Sequence, residues 1–331
     1  MSTARSHYGL MVVVTWVLCL STLVGCRGNS ERAVTRIGIT QIATHPGIDA
    51  IREGFLDEMR RNGYSEADGV VYQLSNAQGD MATSQAIAQK LAGDKCDLIF
   101  AISTPSSQAV AQAIKGTGIP LVFGAVTDPV AAGLVASLAH PGGNITGTSD
   151  SWPVPEQFRL LLTVAPNVRT VGLVYNPGET NAESNVKAVE EACSTLGLRV
   201  VTVPVSSTNE VQQAAQSLVG RCDALYVPAD NTVIAAMDAV VRVSEENKLP
   251  LLPGVSSSVE QGGFGTLGPN YRDIGVESAK LAQEILRGQA PRNIPVATAK
   301  RFELFFNLRS ARASGVNIPQ SLIDRAAKVY R

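Results

Sequence analysis

The chain of 331 residues repeats itself. Lys95-Cys96-Asp97-Leu98-Ile99-Phe100 is echoed by Arg221-Cys222-Asp223-Ala224-Leu225-Tyr226 at an offset of 126. Ile119-Pro120-Leu121-Val122-Phe123-Gly124 returns as Leu249-Pro250-Leu251-Leu252-Pro253-Gly254 at 130, and Ile37-Gly38-Ile39 as Val171-Gly172-Leu173 at 134. Three echoes in one order with drifting offsets mean two copies of one module with small loop differences. Within each copy, short apolar runs alternate with stretches of helical period. RIGIT, VVYQL, DLIFAI and PLVFG predict strands in the first, separated by helices over about 48–59, 83–91 and 105–114. TVGLVYN, LRVVTVPV, ALYVPA and PLLPG alternate in the second with helices over 182–196, 209–219 and 231–247. Fully apolar strands joined through helices call for a parallel sheet covered on both faces. The fold class is therefore α/β, with two flavodoxin-like lobes of parallel sheet joined by a hinge. The C-terminal stretch predicts a helix over 273–287, a strand over about 294–298 and a final helix near 319–328.

Lobe 1 is assigned to 35–148 with about 272–302 returning to it, and lobe 2 to 149–271 plus about 306–331. Open parallel sheets bind ligands beyond the carboxyl ends of their strands. That rule nominates Gln41–Pro46, Ser103–Ser106 and Ala125–Pro129 in lobe 1, and Tyr175–Asn181, Ala229–Thr232 and Val255–Ser258 in lobe 2. Two such lobes facing each other make a cleft that hinge motion can close. A formal charge of −1 offers no basic face for nucleic acid. Three histidines and no Cys-x-x-Cys argue against a metal site, and no cofactor is implied. Gly262-Gly263-Phe264-Gly265 has the wrong spacing for phosphate binding, and no nucleophile elbow, Walker loop or dinucleotide fingerprint occurs. Binding is expected rather than catalysis.

Residues 1–25 read as an export signal, with Arg5 the only charge before a largely apolar run from Gly9 to Gly25. Leu23-Val24-Gly25-Cys26 resembles the bacterial lipobox, the alternative being an ordinary membrane anchor with an incidental cysteine. The resemblance implies cleavage before Cys26, lipid on its sulfur, and a mature chain of 306 residues held at a membrane surface by acyl chains. Residues 26–34 read as a tether, and Arg27 in place of Asp favours the outer membrane in a cell that has one.

The loops as a set resemble one family: Gln41…His45-Pro46, Ser103-Thr104-Pro105, Ala125-Val126-Thr127-Asp128-Pro129, Pro141-Gly142-Gly143-Asn144-Ile145-Thr146-Gly147, Tyr175-Asn176-Pro177-Gly178-Glu179, Pro228-Ala229-Asp230-Asn231-Thr232 and Val259-Glu260-Gln261-Gly262. This is the ABC transporter substrate-binding lipoprotein family of tryptophan/tyrosine type, with the type I periplasmic binding protein fold. The likeness runs from about residue 36 to the end, and departs at Ala182, where the family usually has Ser. It implies capture of a small ligand, an aromatic amino acid above all, for an ABC permease and its ATPase. A ligand-sensing lipoprotein, or a receptor for a branched-chain amino acid, sugar or nucleoside, is the alternative.

An amino acid needs donors for its carboxylate and an anion for its ammonium. Ser103, and Thr104 ahead of Pro105 as N-cap and N1, offer a helix start; Thr127 and the Asp128-Pro129 turn add a hydroxyl and amides. Asp230, followed by Asn231, and Asp150 are the candidate ammonium partners. Capping alone would also account for Thr104, Asp128 and Asp230, and Asp150 falls in the first inter-lobe crossing, where a hinge role is equally open. Gln41 and Tyr175 occupy equivalent positions that either line the cleft or close it; Tyr271, beside Asn270, stands at the second crossing. His45 and Trp152 are read as structural, and Cys96, Cys193 and Cys222 as buried thiols, with a Cys193–Cys222 bridge as the alternative.

Overall fold

The computed structural model describes residues 34–331, so residues 1–25, read above as an export signal, and Cys26 lie outside the described residues. The first module runs β1 (Thr35–Gln41), α1 (Pro46–Arg61), β2 (Val70–Asn76), α2 (Met81–Gly93), β3 (Leu98–Ile102), α3 (Thr104–Ala113) and β4 (Leu121–Gly124), then adds β5 (Ile145–Ser149). The second begins at α4 (Val154–Val164) and continues β6 (Thr170–Tyr175), α5 (Thr180–Thr195), β7 (Arg199–Pro204), α6 (Val211–Ser217) and β8 (Ala224–Val227). It goes on through α7 (Asn231–Ala235), α8 (Met237–Asn247), β9 (Leu251–Pro253), α9 (Ser258–Gln261) and β10 (Gly265–Gly268). α10 (Tyr271–Leu286), β11 (Ala297–Thr298), β12 (Glu303–Asn307), α11 (Leu308–Ala313), α12 (Gln320–Ile323) and β13 (Lys328–Tyr330) complete it.

One parallel sheet has the order β11-β5-β4-β3-β1-β2 and the other β7-β6-β8-β9, the same winding in both copies. The chain leaves or rejoins the six-stranded sheet three times: after β5 toward the four-stranded sheet, and after β10 and after β11 from and to a small third sheet. The internal echoes have a physical basis. Gly38 and Gly172 leave the space that a cysteine fills, since a Cβ would stand 3.2 Å from Cys96 Sγ in one lobe and 2.7 Å from Cys222 Sγ in the other. The next residue ties the sheet down: Asp97 accepts from the Arg36 amide at 2.7 Å, and Asp223 from the Arg169 and Thr170 amides at 2.9 and 2.8 Å. All three described cysteines are buried free thiols.

Several sequence expectations are corrected. The helix expected over 231–247 breaks at Ala236, whose φ of −110° and ψ of 26° end α7 and start α8. The strand over 294–298 shrinks to two residues, because Pro295 cannot donate to a ladder. The final helix near 319–328 is one short turn; Lys328–Tyr330 instead pairs with β12. β12 itself runs antiparallel to β10, in a small third sheet that the all-parallel reading lacks. β5, α4, β10, β12 and α11 were not anticipated; β5 and β10 are short and carry Thr, Ser and Gly rather than a continuous apolar run.

Helices α1 and α10 pack so closely that both contact points are glycines. A Cβ on Gly54 would collide with the Arg272 carbonyl, and one on Gly275 with that of Ile51. This contact fixes the two helix starts, and so the side chains of His45 and Tyr271, relative to each other. Gly275→Ala should therefore destabilise the protein by about 1–3 kcal/mol through overpacking, read as a lower urea midpoint at unchanged slope. An unchanged midpoint would mean that the helices can separate freely.

Candidate ligand-binding cleft

A small, partly open cavity lies between the lobes. Lobe 1 lines it with His45, Ser103, Thr104, Ala125 and Thr127, together with Ile48 and Ile51 on the buried face of α1. Asp150 and Tyr271 enter from the first two crossings. Lobe 2 contributes Asn181, Ala229, Asn231, Ile234 and Val255.

The polar groups here are left incomplete. Buried hydroxyls and amides are normally hydrogen-bonded, yet His45 Nε2, Ser103 Oγ, Thr104 Oγ1 and Asn181 Oδ1 are all buried without a partner. The start of α3 is also uncapped, since no side chain accepts from its first turn. Backbone strain marks the same place. Ser103 has φ 76° and Ala125 φ 54°, a region that costs non-glycine residues on the order of 1–3 kcal/mol and that concentrates at ligand sites. Ser103 is the N-cap and Thr104 the first helical residue, so the helix starts one position earlier than the sequence reading placed it.

Asp150 is the charged group facing this space, and only 3% of it is exposed. Thr127 Oγ1 donates to its Oδ1 at 3.3 Å and Tyr271 Oη to its Oδ2 at 2.9 Å. Burial nevertheless lifts its pKa from 3.8 to about 6, partly opposed by those two donors. His45 goes the other way. Burial lowers its pKa to about 4, opposed by the Asn231 side chain of lobe 2 and by the Asp49 charge. On the lobe 2 wall, Glu179 is a buried carboxylate that receives the Asn181 amide at 3.0 Å, the Asn231 amide at 2.5 Å and the Thr232 hydroxyl at 2.8 Å.

Of the residues nominated by sequence, Ser103, Thr104, Thr127, Asp150, Asn231 and Tyr271 come together on the cavity. Four do not line it. Asp230 is fully buried behind the wall, its Oδ1 capping α7 through Val233 N at 2.9 Å and its Oδ2 taken by Asn176 N. Burial and the Glu179 charge hold that carboxyl well above the ordinary range. Asp128 is exposed and accepts from Val130 and Ala131 N in its own turn. Gln41 is bound up with Ala43, Asp49 and Arg52, and Tyr175 stays at the end of β6. Trp152 packs into the main core, and Asn270 caps α10. His45 and Asn181 were not nominated as ligand contacts, although both fall in loops that the strand-end rule selects.

A two-lobed fold closed around an unsatisfied polar cavity defines a solute receptor. The sequence matches the family described as ABC transporter substrate binding protein over residues 36–330, and the chain belongs to that family. A relative from Clostridioides difficile, named a tyrosine-binding protein, is 38% identical over 93% of this chain and 92% of its own length. A Streptococcus structure in complex with L-Trp superposes with a TM-score of 0.85 at 32% identity, covering 89% of this chain and 99% of that one. An open, ligand-free substrate-binding protein from Clostridium difficile reaches only 0.68 at 41% identity, covering 90% and 99%. The higher TM-score goes to the ligand-bound structure, although the open one is more alike in sequence. The family is one of solute-binding proteins, not enzymes.

Thr104→Val replaces the orphan hydroxyl with a methyl of similar shape. In ligand-free protein it should leave the melting point unchanged or raise it, since a buried unpaired group costs about 1–3 kcal/mol. A clear fall would show that the hydroxyl already has a partner.

Proposed function

We propose that the chain captures a free amino acid with an aromatic side chain and presents it to an ABC permease and its ATPase. The observation that carries this is a cavity whose lining combines helix-start donors, one buried carboxylate and aliphatic side chains. Ser103 Oγ, Thr104 Oγ1 and the uncapped start of α3 offer donors for a carboxylate. Asp150, with acceptor capacity left after Thr127 and Tyr271, suits an ammonium group. Ile48, Ile51, Ile234 and Val255 suit a ring. The named ligands of the tyrosine-binding and L-Trp-bound relatives support the same class. Closure follows because the ligand is held by both lobes at once and so binds the closed state more tightly.

Calorimetry against the common amino acids tests this. Asp150→Asn should weaken binding at least tenfold, because a charge-assisted hydrogen bond contributes about 1.5–3 kcal/mol. The pH dependence has a definite sign. With a native pKa of about 6 against 3.8 for an ordinary Asp, the free protein holds a proton at Asp150 in the window between those values. Ionising the group costs stability as pH rises through that window, and a bound ammonium offsets the cost. Affinity should therefore be flat above pH 7 and about tenfold weaker near pH 5. An affinity that does not change with pH would remove Asp150 from the ammonium site.

The proposal includes export and a lipid on Cys26 that tethers the mature chain at the envelope, on the outer membrane where the cell has one, resting on Leu23-Val24-Gly25-Cys26. Cys26→Ser should move the protein from the membrane fraction to the soluble one. Retention in the membrane would favour an uncleaved anchor.

A further inference from the structure

Away from the crossings, a hydrogen bond ties one lobe directly to the other. Gln108 Nε2, on α3 of lobe 1, donates at 3.3 Å to the hydroxyl of Thr180, the first residue of α5 in lobe 2. Each end is anchored in its own lobe. Gln108 Nε2 also donates to the Ala132 carbonyl at 3.1 Å, and a carbonyl can only accept, so the nitrogen of the side-chain amide is the atom turned this way. Thr180 opens a helix whose start is tied to the wall of lobe 2. Glu179 before it receives the Asn231 and Thr232 backbone amides at 3.1 and 3.0 Å, and Asn181 after it donates to the Ala229 carbonyl at 2.7 Å. Movement of one lobe against the other therefore breaks the Gln108–Thr180 bond rather than carrying it along.

The two helices that make this bond also meet the cavity. Thr104 stands about one helical turn before Gln108 on α3, and Asn181 follows Thr180 on α5; Thr104 and Asn181 line the cavity, whereas Gln108 and Thr180 do not. The strand that leads into α3 is separated by β4 from β5, where the first crossing leaves the sheet. The bond is thus set apart from Asp150, Thr127 and Tyr271, which join the lobes at the crossings themselves.

We infer that Gln108 and Thr180 form a latch: positioning residues that hold α3 and α5 together over a bound ligand without touching it, and so slow its release. An interaction present only when the lobes meet stabilises that arrangement alone, and a bound ligand leaves by way of the parted one. Loss of the latch then appears in the rate of departure and not in the rate of entry. This rests on the reading of the cavity as an amino-acid site and adds to it what sets the residence time.

The test follows release of radiolabelled tyrosine and tryptophan from the purified protein, chased with excess unlabelled amino acid. Thr180→Val keeps the shape of the side chain and removes the acceptor; it should speed release about fivefold, the worth of one neutral hydrogen bond, with the association rate unchanged. Thr180→Ser keeps a hydroxyl and should release at the wild-type rate. Gln108→Leu should also speed release, and adding Thr180→Val to it should bring no further gain, because one bond is lost only once. Wild-type release rates in both single variants overturn the latch and leave the amino-acid reading intact. So do effects that multiply in the double variant, or a loss confined to the association rate, either of which would mean that the residues act separately. If the wild type binds neither amino acid, the parent reading falls and the latch with it.

Discussion

A carboxylate taken out of water has to be satisfied by its surroundings, and in this protein Asp150 is satisfied only in part. It lies on the first crossing between the lobes; Thr127 comes to it from the loop after β4, and Tyr271 from the helix that follows the second crossing. One anion thus joins two of the three connections on which the lobes turn. A carboxylate offers about four acceptor sites, so two donors leave it short, and its raised pKa is the record of that shortage. A ligand cation supplied from the cleft would complete the shell and at the same time stiffen the junction between the crossings. Binding and closure then depend on the same group, which is why no separate transmission path has to be sought.

Much of this was legible in the sequence because the repeat encodes packing. Gly38 and Gly172 recur because the sulfurs of Cys96 and Cys222 need their space, and Asp97 and Asp223 recur because each ties the backbone at the start of its lobe's first strand. The strand-end rule also drew the loops that line the cavity, since His45, Ser103, Thr104, Thr127, Asn181 and Asn231 all fall within them. What one dimension could not give was the direction each side chain takes. Asp150 and Asp230 look alike in sequence, each a polar residue just past a strand. Only the fold brings the Asn176 amide, 54 residues away, onto Asp230 and turns that carboxylate into the wall rather than the site. The same limit hid Ile48, Ile51 and Ile234, which read as ordinary core positions and become ligand-facing only once the lobes meet.

Local rules fail in a cluster here. A serine and an alanine adopt backbone angles suited to glycine, a helix start goes uncapped, and four buried polar atoms lack partners, all on one cavity. Each departure costs stability on its own; others are scattered, at Lys95, Lys248 and Ser310 among them, but here several coincide. Natural sequences break such rules mainly where function requires it. Strained backbone and unpaired groups thus coincide on one cavity, where a ligand that pairs them would lower their cost.

The two lobes divide that strain unequally. Lobe 1 brings the distorted backbone and the free hydroxyls, whereas the amides of lobe 2 are already held on Glu179. A ligand docked on lobe 1 alone would relieve most of the orphan groups without bringing the lobes together. Only a molecule that also meets lobe 2 gains something in the closed state that the open state cannot offer, and a ligand shifts an equilibrium by no more than that difference. A ligand that meets only one lobe would thus be retained weakly, and one that spans both would favour closure.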